Sequence, residues 1–167
     1  AARHQTTQWV NPYGRNGDPH APEDWNWPGV TEDTVTLPGL LSDAGYHTIH
    51  VGKAHWGPLE HAGSDPLHIG FDSNVAGSAW GRPGSYYGTQ NFTNDQQLRQ
   101  PPHLEAYHGK EIHLTEALTN EMIKQLDAAH KTGKPIFAHM AFYAVHSPWQ
   151  ADPKFLQNYA DDEPGRI

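Results

Sequence analysis

Twice in this sequence a helix-patterned segment stops at a glycine and runs straight into a strand-like stretch, which points to an α/β chain whose strands lie parallel. In the first unit Leu37, Leu40, Leu41 and Ala44 recur at helical spacing, Thr36 is placed to cap the first turn, Pro38 is tolerated there, and Gly45 ends the helix. Tyr46 to Val51 then reads as a strand. In the second unit Thr115 is the expected N-cap, Glu116 favours the positive end of the helix dipole, and Leu118, Met122, Leu126 and Ala129 form one apolar stripe. Gly133 and Pro135 end it, and PIFAHMAFYAVH follows as a nearly continuous apolar run, expected to be a strand, Ile136 to Tyr143, buried on both faces.

The remainder is loop. With 16 Gly, 14 Pro and a mean hydropathy of -0.76, the 167 residues form one folded unit with long irregular segments. Residues 1–33 read as ordered loop, and Gly52 to His113 is a second long irregular stretch of the kind that usually carries function. A net charge of -8 gives no electrostatic basis for binding nucleic acid or anionic membranes. The absence of cysteine excludes disulfides, thiolate metal sites and a cysteine nucleophile within the chain. No apolar run reaches the roughly 18 residues of a membrane span, and the polar start has no signal-peptide core.

Both strands run out into residues with chemistry: Tyr46 to Val51 into Gly52, Lys53, Ala54, His55, and Ile136 to Tyr143 into His146, Ser147, Pro148. In open parallel sheets ligands bind beyond the carboxyl ends of strands, so parallel neighbours here would gather one lysine and two histidines into a cationic, proton-transferring cluster suited to an anionic ester. Taken singly, each of these side chains also fits a solvated surface role. A glycan-binding module is the alternative raised by six Trp and seven Tyr among polar loops. A histidine metal module is not supported, because His47 and His50, His61 and His68, and His103 and His108 lack paired-ligand spacing. The sequon at Asn91, Phe92, Thr93 reads as chance.

LPGLLSDAGYHTIHVGKAHWG resembles the sulfatase segment in which a helix ending in AGY leads to a strand and then to GKWHLG. The likeness continues through DPLHIGFD, LTEALTNEMIKQL and GKPIFAHMAFYAVHSPW, where the family has a buried strand followed by a His-x-Pro turn. AARHQTTQW is similar to the stretch after the family's nucleophile motif, and NVAGSAWGRPGSYYG to bacterial glycan sulfatases. The resemblance implies part of an alkaline-phosphatase-like α/β sandwich, with a mainly parallel sheet flanked by helices and long loops. It implies hydrolysis of sulfate esters, of sulfated carbohydrate or aryl sulfate, by a formylglycine beside a calcium ion, in a periplasmic or secreted protein. Phosphodiesterases and phosphonate hydrolases of the same superfamily are the near alternative. By resemblance Lys53 would bind the sulfate oxygens, His55 would contact the formylglycine hydrate and help expel sulfate, and His146 would bind sulfate or protonate the leaving alcohol.

The sequence also departs from that pattern. Cys or Ser followed by x-Pro-x-Arg is absent: Ser78 has Arg82 four residues on, but Trp80 stands where Pro belongs. The family's metal-binding aspartates have no counterpart, since Asp161 and Asp162 lie in a polar tail after the His-x-Pro turn. Ala54 replaces a usual Trp, with Trp56 near enough to fill some of that space. The expectation is that residues 1–167 are an internal portion of one sulfatase catalytic domain, with the nucleophile and metal ligands outside the chain. Such a portion would be inactive alone, and its unpaired edges favour marginal stability or self-association.

Overall fold

The computed structural model describes residues 29–93 and 99–159. The expectations for residues 1–28, AARHQTTQW included, and for Asp161 and Asp162 lie outside the described residues.

Helix α1, Leu37–Asp43, begins where the capping pattern puts it. Thr36 Oγ1 accepts from the Gly39 amide at 3.1 Å and donates to the Ile69 carbonyl at 2.7 Å, so one hydroxyl both starts the helix and ties it to the next segment. Gly45, at φ +89, takes the left-handed turn that ends it. Strand β1, His47–Gly52, follows, and from Thr48 to its end every residue is buried.

Strand β2, Ser73–Val75, was not expected from its sequence, because three residues show no usable periodicity. Asp72 sets its start: its Oδ2 accepts from the Thr48 amide at 2.8 Å, and its own amide donates to the Thr48 carbonyl at 2.8 Å. Helix α2, Leu114–His130, carries the expected stripe. Its N-cap is His113 rather than Thr115: His113 Nδ1 accepts from the Thr115 amide, while its Nε2 faces the Gln150 carbonyl at 3.1 Å. The choice of cap is tertiary, since His113 is held from both sides and Thr115 is already inside the first turn.

Strand β3, Ile136–Ala141, pairs with β1 in parallel from His47 opposite Ile136 to Gly52 opposite Ala141. The sheet order is β2-β1-β3, with β1 parallel to both neighbours. The strand therefore stops short of the expected Tyr143, and it is not buried on both faces. It is an edge strand among the described residues, half-buried along most of its length and exposed at Ala138. The core lies on the α2 side, where Leu114, Leu118 and Met122 pack with Ile49, Val51, Val75, Phe92 and Leu104. The long stretch between β1 and α2 is irregular as expected, but organised: Phe92 and Leu104 are fully buried, and the Tyr143 hydroxyl donates to the Ala76 carbonyl at 2.8 Å.

Gly52 is where the two strands converge. Its φ is +109, and a Cβ there would stand 1.9 Å from the Ala141 carbonyl oxygen. Gly52→Ala is expected to lose on the order of 2–4 kcal/mol of stability, from backbone strain plus a clash with main chain that cannot rotate away. A urea midpoint within error of the parent's would show that the strand ends do not meet this closely.

Candidate active site

The Gly52 crossing aims the next residues. The Lys53 amide donates to the Ala141 carbonyl at 2.7 Å, extending the β1–β3 ladder to the edge of the sheet. Its half-buried side chain makes no ion pair among the described residues. His55 then turns the chain with φ +61, a left-handed conformation that few side chains adopt without support. That support is the glycine-rich loop: the His55 amide donates to the Ser78 carbonyl at 2.9 Å, and the ring lies on Gly81, where a Cβ would come within 2.4 Å of Nδ1 and Cε1. Trp56 turns under the sheet, stacked on Phe71 at 5.7 Å.

His146 sits in the turn after β3. Its amide donates to the Tyr143 carbonyl at 2.9 Å, and its own carbonyl accepts from the Tyr86 hydroxyl at 2.9 Å. Burial pushes the Tyr86 phenol up to about 12, so it stays a neutral donor. The exposed imidazole has Nδ1 at 3.1 Å from Ser147 Oγ and opens on a cleft of about 440 Å³ with Tyr86, His113, Val145, Trp149 and Gln150. Lys53 and His55 do not line that cleft. They reach the same end of the sheet from the neighbouring strand, and the loop after Ser78 touches both groups: Gly81 meets His55, and Arg82 Nη1 donates to Ser147 Oγ at 3.3 Å. Sequence reasoning met Arg82 only as the end of a false nucleophile motif; only the contact with Ser147 brings it to the site.

Beneath this edge lies a histidine pair that periodicity did not reveal. His50 and His139 face each other in the β1–β3 register, with Nδ1 to Nδ1 at 3.0 Å, while His50 Nε2 is 2.9 Å from the Gly52 carbonyl. A carbonyl only accepts, so His50 Nε2 carries the proton, His50 Nδ1 is the acceptor, and His139 Nδ1 donates to it. Both rings pack with Trp56 and Phe71. Burial draws the His50 imidazolium down from 6.5 to about 4, against the opposing pull of the Gly52 carbonyl and with a smaller contribution from His139. Burial lowers His139 as well.

Among the described residues no group of three or more His, Cys, Asp or Glu side chains is arranged to hold a metal ion. What the fold and this edge do define is an α/β protein that presents a lysine and two histidines at the carboxyl ends of adjacent parallel strands, the end at which ligands bind in open parallel sheets. The chain belongs to the sulfatase family, whose model matches residues 5–166. It is similar to arylsulfatase J of Mus musculus, 32% identical over 138 residues that cover 76% of this chain and 21% of that protein. It is also similar to N-acetylgalactosamine-6-sulfatase of Canis lupus familiaris, 31% identical over 150 residues, 77% of this chain and 25% of that protein. Two crystal structures of Ps i-CgsB share the fold over 82% of this chain and 32% of theirs: one free, at TM-score 0.62 and 26% identity, and one in complex with k-i-k-neocarrahexaose, at 0.63 and 24%. The alkaline-phosphatase-like α/β fold expected from the sequence is the fold of this chain. The chain spans about a fifth to a quarter of the length of these curated relatives.

The histidine pair gives a pH dependence whose sign is fixed. The His50 pKa is about 4 folded against 6.5 unfolded, so the unfolded chain binds more protons between those values. Its contribution, on the order of 3 kcal/mol, is fully present above about pH 6.5 and is lost as the pH falls toward 4. Urea midpoints should therefore drop across that window, and His50→Gln should flatten the slope. An equally steep slope in the variant would assign the effect to other groups.

Proposed function

We propose that this chain forms the sulfate-binding and leaving-group side of the active site of a sulfuric ester hydrolase, as an internal portion of one catalytic domain. The observation that carries the reading is the delivery of Lys53, His55 and His146 by adjacent parallel strands in a chain of the sulfatase family. When the S–O bond of a sulfate ester breaks, negative charge grows on the sulfate oxygens and on the leaving alkoxide. The Lys53 ammonium stabilises the first, and the exposed His146 imidazole protonates the second. His55 is held rigidly beside Lys53 by Ser78 and Gly81, in position to contact the same anion.

The substrate class we favour is a sulfated carbohydrate, with aryl sulfates as small surrogates. One relative is named for N-acetylgalactosamine-6-sulfate and a fold neighbour was crystallised with k-i-k-neocarrahexaose, which supports a sugar at this site. The exposed Trp149 beside His146 offers an aromatic face against which a sugar ring could stack. A periplasmic or secreted setting suits such a substrate; among the described residues no helix is long and apolar enough to cross a membrane.

Calcium and formylglycine are a separate matter. Among the described residues there is no carboxylate cage for calcium, and the sequence has no Cys and no Ser followed by x-Pro-x-Arg from which a formylglycine would be made. Both, if used, belong to segments other than these.

In the full-length protein that carries this segment, Lys53→Ala and His146→Ala should each lower kcat/KM for a sulfate ester by at least roughly a hundredfold. Residues 1–167 alone should release no sulfate from an aryl sulfate, with or without calcium, because an anion pocket does not replace a nucleophile. Near-normal turnover by both variants would remove these residues from the mechanism, and turnover by the segment alone would reveal a nucleophile within it.

A further inference from the structure

Arg82 is a half-buried cation with no acidic partner among the described residues, in a chain of net charge -8. Its surroundings fix it. Pro83, the next residue, is fully buried, and Gly81, the preceding one, is clamped under the His55 ring. Arg99, a cation from a later segment that packs against this loop, has its guanidinium over the Trp80 ring at 5.5 Å. Arg82 has no such use: its described hydrogen bond is to the neutral hydroxyl of Ser147, at 3.3 Å. That hydroxyl is 3.1 Å from His146 Nδ1, so the guanidinium stands one hydroxyl away from the imidazole assigned to the leaving oxygen.

We propose that Arg82 determines specificity by binding a second anionic group, a sulfate or a carboxylate, carried by the leaving side of the substrate. The inference rests on the sulfatase reading and extends it to the class of sugar taken. Position separates the two anions. Lys53 comes off β1 and serves the sulfate that reacts, whereas Arg82 is tied to the His146 turn, where the alcohol departs. A planar guanidinium with one N–H held by Ser147 keeps its remaining donors for the paired oxygens of an oxyanion, a geometry that lysine cannot reproduce. A neutral sugar would leave those donors and the charge unmatched, which is how the site discriminates.

The test compares three substrates of the full-length protein: a monosulfated neutral disaccharide, a disulfated disaccharide, and a monosulfated disaccharide with a uronate on the leaving side. The wild type is expected to prefer at least one of the two dianionic substrates. Arg82→Gln should cut that preference, as the ratio of kcat/KM values, by about tenfold to a hundredfold, acting through KM, and Arg82→Lys should restore only part of it. The dianion whose KM responds identifies the second group as sulfate or carboxylate. Equal losses on all three substrates, or none on any, would overturn the assignment while leaving the sulfatase reading intact. Wild-type turnover without a dianion preference would also overturn it. Failure of the wild type to hydrolyse any of the three would instead overturn the sulfatase reading, and the Arg82 assignment with it.

Discussion

The parallel ladder between β1 and β3 is the interaction on which the rest depends. It closes at Gly52, where main chain meets main chain so tightly that no side chain fits, and the Lys53 amide carries the ladder one step further. From that point the two strands diverge and release Lys53 with His55 on one side and the His146 turn on the other. Beneath the closure, His50 donates to the Gly52 carbonyl and accepts from His139 on the paired strand. The same residue pair thus ties the strand ends together, and the geometry of the edge depends on His50 keeping its Nδ1 free of a proton to accept from His139.

The second organising element is irregular. The segment from Ser78 to Tyr87 has no repetitive hydrogen bonding, yet it is anchored at successive points: Ser78 to His55, Arg82 to Ser147, Ser85 and Tyr86 to Gln150, and the Tyr86 hydroxyl to His146. Each anchor reaches one of the two turns that follow the strands. A glycine-rich loop gives the close approaches that this requires, and its buried Pro83, Ser85 and Tyr86 keep it from moving as an open lid would.

What could be read from the sequence was local. Thr36 and Gly45 act within a few residues of themselves, so their roles as start and stop of α1 were legible. The β1 and β3 strands and the turns that follow them were likewise visible, and with them Lys53, His55 and His146. What required the fold was contact between distant segments. His113 rather than Thr115 caps α2 because residues near Gln150 hold its other nitrogen. The apolar run of β3 reads as doubly buried, but burial depends on what flanks a strand, and β3 lies at an edge of the described sheet. His50 and His139 become a pair only through register, and Arg82 joins the site only through Ser147.

The His55 backbone carries a consequence of its own. Its left-handed turn, the Ser78 carbonyl that receives its amide and the bare Gly81 surface under its ring form one mechanical joint made from two stretches of chain. A side chain gained at position 81 would push the imidazole out, and a smaller residue at position 55 would leave Gly81 facing empty space. Neither end can drift freely while the other stays. A change of side-chain volume at position 55 or 81 therefore calls for a compensating change at the other, so the strand-end turn and the loop behave as one unit in any redesign.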